Sequence, residues 1–439
     1  MKHFDVIVLG GGVAGLAAAY ELAQRELSVC VVEAKDRFGG RVFSRRERDV
    51  PMSIELGPEL IHGLAPTTRR WLKRVNIASI DAVESRWTLQ QGKLKQGSAL
   101  FESMKRGLDS IRPPVKDLPF ADFLDRHSAK LSAPVRKFAC SLVEGFDAAD
   151  STRVSTLETL KGWSGTAAAD APTFRPMGGY GKLIDGMVGL LDPKSVQLQL
   201  NTIAREIQWS DRGVKVLATQ YGKSMQLNAR RAIVTLPLGV LQLPVDDRRA
   251  VRFTPALSQK ESAMTQLAVG SVLKVILHYR QAFWEELSDG RYRDAAFFHA
   301  PNETFRTFWT SLPIRVPVMV AWAGGPNAAR LSAQPEAAIV CAATRSLDRL
   351  FATTGKRASW DDQLQAAYVH NWQTDPFACG AYSYVLADGS AARKQLAKPL
   401  RNTLYFAGEA TDQEEPATVA GALRSGEEAA RKIARSERR

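Results

Sequence analysis

The sequence predicts an α/β fold in two parts: a parallel-sheet domain assembled from separated segments, and an α+β domain formed by the insertions between them. Three observations carry this. A strand–turn–helix–strand unit opens the chain, and a strand–turn–helix unit closes it. The 439 residues also exceed what one ordinary core holds.

In the opening unit, Val6-Ile7-Val8-Leu9 is a short apolar run that reads as a buried strand. Gly10-Gly11-Gly12-Val13-Ala14-Gly15 follows as G-x-G-x-x-G, and Leu16 to Gln24 is Ala/Leu-rich and helical. Val29-Cys30-Val31-Val32 is a second strand ending at Glu33. The first glycine permits the tight turn, the second lets backbone approach a pyrophosphate, and the third lets helix and strand pack closely. The helix N-terminus turns free N–H groups and a positive dipole end toward phosphate. Glu33 stands where an acid accepts hydrogen bonds from ribose hydroxyls. A lone match of this kind is a glycine-rich turn, but here strand, helix, second strand and acid are all in place. The continuation Ala34-Lys35-Asp36-Arg37-Phe38-Gly39-Gly40-Arg41 separates FAD from NAD. Its second glycine pair suits a further backbone approach, and Arg41 can add a charge-assisted bond. The opening unit is therefore read as Rossmann-like and FAD-binding, through Gly10, Gly11, Gly12, Val13, Ala14, Gly15, Glu33, Ala34, Lys35, Gly40 and Arg41.

Farther on, residues 84–175 are richer in helical patterning, broken by prolines 113, 114, 119 and 134. Phe174 to Tyr180 is loop-like, Leu183 to Leu191 is helical, and Val196–Leu200 and Val214–Leu217 read as strands. Ala232 to Leu241 is a strand running into a turn, and residues 366–439 return to α/β. The expected cofactor domain is thus 1–83, 176–259 and 366–439. The substrate domain is 84–175 and 260–365.

Composition bounds the rest. No run of about 18 uncharged apolar residues calls for a transmembrane helix. Val6 to Ala19 imitates a signal peptide, but cleavage there would remove the glycine loop, so the segment reads as fold. Cys30, Cys140, Cys341 and Cys379 are far apart and the six histidines scattered, so neither a disulfide framework nor a metal site is expected. Such cysteine usage fits a reducing cytoplasm. The net charge of +13 comes from short basic groups with acids interspersed, so a basic surface is expected rather than nucleic-acid binding.

Gly270-Ser271-Val272-Leu273-Lys274-Val275-Ile276-Leu277-His278-Tyr279 is the next chemically suggestive stretch. Val272, Lys274, Ile276 and His278 share one face of a strand, and Leu273, Val275, Leu277 and Tyr279 share the other. An ammonium there is costly unless paired or hydrated. The strand pattern alone balances a buried functional lysine against an edge-strand lysine that blocks aggregation.

With the loop of residues 6–41, the chain resembles the FAD-binding group of amine oxidases, phytoene desaturases and protoporphyrinogen oxidases. Gly-Ser-Val-Leu-Lys-Val narrows the resemblance to flavin amine oxidases, which implies that Lys274 holds a water near the flavin N5. Ile54-Glu55-Leu56-Gly57-Pro58-Glu59-Leu60-Ile61-His62-Gly63 resembles the polyamine-oxidase stretch ending Trp-Ile-His-Gly, with Leu60 replacing the tryptophan. The resemblance implies that Gly57, Glu59 and Leu60 lie against the flavin ring and that His62 faces substrate. Trp372 through Tyr384 resembles the family's Trp…Asp-Pro…Gly-Ser-Tyr-Ser segment, which makes Trp372 a cofactor residue and Tyr382 a wall of the cage around the amine. Ala381 stands where monoamine oxidases attach FAD covalently, and Cys379, two residues away, is displaced along the same strand face, so FAD is expected to be non-covalent.

Leu404 to Thr411 and Glu415 to Ala422 resemble the C-terminal FAD motif. This implies a second phosphate- and ribityl-binding corner with Gly408, a ribityl bond from Glu409, and Thr418 and Val419 at the flavin edge; Thr418 also takes the place of a second cage tyrosine. Ala204 is implied on the adenine side, where the family usually has valine.

The whole implies an FAD-dependent amine oxidase closest to the polyamine-oxidase type. It transfers hydride from the carbon alpha to the amine to flavin N5, with O2 as oxidant and a small-molecule amine as partner. Monoamine or alkaloid amine oxidation, and flavin desaturation of a C–C bond, stay open. A flavin-bearing interaction module is the non-enzymatic alternative, without a helical tower or extra binding domain to favour it. Glu144 and Asp147 are candidate acids for a polyamine tunnel, although a solvated helix face explains them better.

Overall fold

The computed structural model describes residues 3–83, 85–97, 99–164, 172–352 and 359–437. The fold is built around two large sheets. The first runs Val196–Gln199, Val29–Val32, His3–Leu9, Lys223–Val234, Gly213–Gln220, Thr202–Ser210, Arg252–Thr254, with Leu404–Phe406 also against Lys223–Val234. Five of its strands form a continuous parallel set, Thr202–Ser210 and Arg252–Thr254 make a further parallel pair, and the glycine loop leaves the carboxyl end of His3–Leu9. Lys223–Val234 changes role along its length: Lys223–Ala229 pairs antiparallel with Gly213–Gln220, and its end runs parallel to the first strand. The parallel strands read as unbroken Val/Ile runs because both faces are covered. On one face the Val13–Ala23 helix packs against the C-terminal helix Val419–Glu437.

The second sheet runs Leu364–Val369, Val272–Tyr279, Val318–Gly324, Thr307–Thr310, Phe297–His299, Arg86–Gln90, Lys93–Gln96. One face, with Leu273, Val275, Leu277 and Tyr279, packs on the Glu336–Phe351 helix. The other, with Ile276, Trp309, Val318 and Val320, packs on Ile54 and Leu56 from the first unit. A bundle of Ala99–Asp109, Phe120–Arg126 and Ala133–Phe146 covers one end.

Three expectations differ. Residues 86–96 form a hairpin at the edge of the second sheet rather than continuing a helical segment. Thr173–Pro176 is a strand between Ile61–His62 and Ser79–Asp81, not loop, and the turn follows at Gly178 and Gly179, both at positive φ. Leu364–Val369 belongs to the second sheet, so it straddles the boundary expected at residue 366. Among the described residues no helix is long and apolar enough to cross a membrane.

Candidate active site

The glycine loop shows the tight turn and the close packing its spacing assigns, with open space at the second glycine. Gly10 has φ +109°, and a Cβ there would lie 2.6 Å from Thr235 Oγ1. A Cβ on Gly15 would lie 2.0 Å from Gly10 O, so helix and loop touch through backbone. At Gly12 the nearest protein atom to a Cβ is 3.9 Å away, and at Gly408 none lies within 4 Å. The open space over the Gly12 backbone, at the mouth of the Val13–Ala23 helix, fits a dinucleotide pyrophosphate, and Gly408 adds open backbone at the turn before Glu409–Thr411. Val13 and Ala14 begin the Val13–Ala23 helix, and Arg37 clamps the second glycine turn through Gly40 O (2.9 Å) and Val42 O (3.0 Å).

Glu33 accepts from Gly11 N (2.7 Å) and Lys35 N (2.9 Å), so it braces the loop while keeping lone pairs for ribose hydroxyls. Burial raises its pKa. Next to Ala34, the Lys35 ammonium turns to the distant Trp372 segment and pairs with Asp375, which also meets His370 Nε2 at 2.9 Å. The Ile203–Ala204 backbone is brought beside Glu33 by a Thr202 N to Glu33 O bond of 2.8 Å, while the Ala204 methyl faces the core.

Arg41 Nη1 donates to Glu409 Oε1 at 2.9 Å and also to Ala381 O. Glu409 Oε2 accepts from Ser383 N (3.2 Å) and Ser383 Oγ (2.7 Å), and Arg393 Nη1 closes the network on that hydroxyl at 2.7 Å. The side chains read as pyrophosphate and ribityl ligands thus also fasten the Ala381–Ser383 turn. Trp372 Nε1 donates to Leu56 O at 3.0 Å, fixing that turn against the Gly57 segment. Thr418 caps the last helix, accepting from Gly421 N (3.0 Å) and donating to Glu415 O (2.6 Å), so its hydroxyl is engaged within the protein. Val419 opens that 19-residue helix, and its N–H is one of the donors a helix start leaves over. Cys379 shares no strand face with Ala381: it sits in a turn at φ +52°, with its thiol toward Pro376 O.

Lys274 lies in an interior strand, paired on both sides, which removes the edge-strand reading. It is 2 % exposed. Its ammonium donates to Glu59 Oε2 at 2.6 Å and Gly57 O at 3.3 Å, and lies 5.5 Å from the Trp309 ring centroid. Glu59 is held in turn by Arg175 Nη1 and by Trp309 Nε1 at 3.1 Å. Burial pushes the Glu59 carboxyl up, but Lys274 and Arg175 outweigh burial and hold it at about 2. Glu59 is therefore first the counter-ion of Lys274.

Directly across the sheet from Lys274 lie Trp322, then Thr307, then His299, a row on one face. Three inter-strand steps carry that row about 14 Å from the lysine. Trp322 Nε1 donates to Gly145 O at 2.6 Å, drawing the end of the Ala133–Phe146 helix over the sheet. The Phe146 ring meets His62 edge-on at 5.4 Å, and Phe146 O accepts from the Tyr382 hydroxyl at 2.7 Å. His62 and Tyr382 are crowded by protein yet keep solvent-accessible surface. Leu60 is half-buried between His62 and the lysine cluster in sequence. Burial, aided by Arg86, holds both His62 and His299 near pKa 4, hence neutral at pH 7. Asp147 sits in the same surroundings, its Oδ2 accepting from Trp163 Nε1 at 3.3 Å, and burial pushes its carboxyl up to about 7. Glu144, the other acid, is engaged by Arg306 (3.0 Å) and Ser151 (3.1 Å).

Arg175, Trp309, Trp322 and His299 were not singled out from sequence. Only the alternation of Thr307-Phe308-Trp309-Thr310 hinted at a strand face. Among the described residues no group of three or more His, Cys, Asp or Glu side chains could hold a metal ion.

Residues 13–434 match the model of the flavin containing amine oxidoreductases. Polyamine oxidase 4 of Oryza sativa subsp. japonica is 28% identical over 96% of this chain and 87% of that protein. Lysine-specific histone demethylase 2 of Homo sapiens is 26% identical over 98% of this chain, which spans about half (53%) of the demethylase. The fold is similar to a wild-type putrescine oxidase bound to putrescine (TM-score 0.82, 20% identity, 99% of both chains). It is equally similar to cyclohexylamine oxidase from Brevibacterium oxydans IH-35A (TM-score 0.81, 20% identity, 100% of both). At such identity these two structures speak for the fold alone. With the glycine turns, the buried lysine and a family match spanning nearly its whole length, the chain belongs to the flavin-containing amine oxidoreductases.

Proposed function

We propose that this amine oxidase binds FAD non-covalently and acts as a polyamine-oxidase-type enzyme, with Lys274 as its catalytic residue. Bound flavin would supply the hydride acceptor for the carbon alpha to the amine nitrogen and the two-electron route to O2, so that amine and O2 would yield an imine, hydrolysed by water, and H2O2. The residues given above for the glycine loop and the Gly408 turn hold the cofactor. Lys274 presents a fixed ammonium from the sheet, where it positions water. Tyr382, with His62 and the Trp322 row, forms a recess that excludes bulk water and orients the amine as a free base. His62, neutral near pH 7, adds no repelling charge to an incoming amine. The observation that carries the reading is the buried Lys274 opening a row of aromatic and polar side chains on one sheet face.

Asp147 favours a substrate with a second ammonium over a monoamine: it places a carboxyl among Tyr382, Phe146 and Trp163, and although burial holds that carboxyl at about 7 in the free protein, an ammonium bound beside it favours the ionised form. A charged hydrogen bond of that kind contributes about 1.5–3 kcal/mol. A peroxide-coupled comparison of α,ω-diamines with monoamines of the same length tests both levels. The wild type should prefer diamines, and D147N should cut the diamine-to-monoamine kcat/KM ratio roughly 10- to 100-fold. Equal rates would favour the monoamine reading; no peroxide from any amine would favour desaturation of a C–C bond.

A further inference from the structure

The Lys274 ammonium does not stand alone. Glu59 and Arg175 are buried with it, and the three side chains form one cation–anion–cation chain. Every remaining contact is directional. Trp309 Nε1 donates to the same Glu59 oxygen that Lys274 uses. Arg175 spends Nη2 on Thr310 O (2.9 Å) and Nε on Leu312 O (3.3 Å), so the guanidinium is fixed before it meets the carboxylate. Glu59, in turn, has one oxygen for each cation. The acid, the two cations and the indole come from four separated stretches of chain, and rotating any of them breaks a buried bond.

Glu55 is the other acid within reach of Lys274. Its Oε2 accepts from Ser44 Oγ at 2.7 Å, its Oε1 has no partner among the described residues, and burial raises its pKa. A carboxyl kept toward neutrality is a poor counter-ion, which leaves Glu59 with that task. The cluster then shows one net positive charge rather than two.

We infer that Glu59, clamped by Arg175 and Trp309, is a positioning residue: it fixes where Lys274 holds its ammonium and sets the charge the cluster presents to the flavin. This rests on the reading of Lys274 as the flavin-side lysine. Replacing the carboxylate by an amide adds a net positive charge and favours the reduced, more negative flavin. Replacing the lysine by an apolar residue does the reverse. Removing both returns the charge count to its starting value.

The test uses flavin-loaded E59Q, E59D, K274M and E59Q/K274M proteins, with the midpoint potential of the bound flavin and the melting temperature as readouts. E59Q should shift the oxidised–reduced equilibrium of the flavin toward reduction by at least tenfold, about 30 mV for a two-electron couple. K274M should shift it the other way, E59D should stay near wild type, and the double variant should return toward wild type in both readouts. If E59Q fails to load flavin, the step from K274M to E59Q/K274M measures the same charge. A lowered melting temperature with an unmoved potential in both comparisons would reduce Glu59 to a structural residue and overturn the inference. If the melting temperatures show the pair coupled but K274M leaves the potential and amine turnover untouched, the lysine reading is what fails.

Discussion

A lysine in the middle of a fully buried strand is a charge problem, solved here by an acid 215 positions away. The sequence shows the lysine and even quotes the acid, but it cannot show that the two meet. That is why Glu59 was read as a flavin contact and emerged as a counter-ion. Thr418 is a similar case: its hydroxyl caps a helix, a local task that the Thr-Val-Ala-Gly order allows. Because Lys274 is the only charged group on its strand, K274M tests the function at its source. It should slow flavin reoxidation or amine turnover roughly 100-fold, the scale of a positioned proton-handling group. Stopped-flow traces of the two half-reactions check it; a wild-type rate in both would remove Lys274 from the chemistry.

At the scale of elements, the first helix and the last meet backbone to backbone. A Cβ on Gly426 would lie 2.1 Å from Ala14 O, backbone that cannot swing aside. Gly426→Ala should therefore cost about 1–3 kcal/mol, the usual range for overpacking, and weaken flavin retention, because the first helix of the pair opens at the glycine loop. Urea melts and flavin absorbance of the purified variant check both effects. One residue on, buried Glu427 accepts from Trp71 Nε1 (2.8 Å) and pairs with Arg70 (2.6 Å) and Arg431 (2.6 Å). Glu427→Ala strands a buried indole N–H and should cost about 1–3 kcal/mol, more than removing either half-exposed arginine. The parallel strands and their helices were legible because a βαβ unit writes its own period and turns. The 86–96 hairpin and the Thr173–Pro176 strand were not, since each is short and half-polar and pairs with partners far along the chain.

For the molecule as a whole, the division into cofactor and substrate domains stands as a proposal, with the Leu364–Val369 strand moved to the substrate side. The pH dependence of stability also belongs to this scale. His62 and His299 have folded pKa values near 4 against an unfolded 6.5, so between these limits the unfolded chain binds their protons and stability falls as pH drops. Asp147, raised to about 7 from 3.8, works the other way over that interval, since the folded protein binds its proton. Burial also lowers His278 and raises Glu33 and Glu55, so the groups oppose one another and single variants separate them. Glu59, held at about 2, costs stability as pH falls below 4.5. Between pH 6.5 and 4.5 the melting temperature of H62Q should fall less than that of the wild type, and that of D147N should fall more. The opposite order of the two variants would contradict these burial assignments.

The sequence by itself determined the glycine loop, the two strand–turn–helix corners, the faces of the lysine strand and the family resemblance, because each rests on short-range periodicity or on adjacent residues. Only the tertiary structure decided which acid faces Lys274, that its strand lies inside the sheet, and that the end of the Ala133–Phe146 helix meets Trp322, His62 and Tyr382. Those outcomes depend on strand order and on side chains brought together across hundreds of residues. Burial then fixes their charge states, and no local pattern in the chain encodes the burial of these polar side chains.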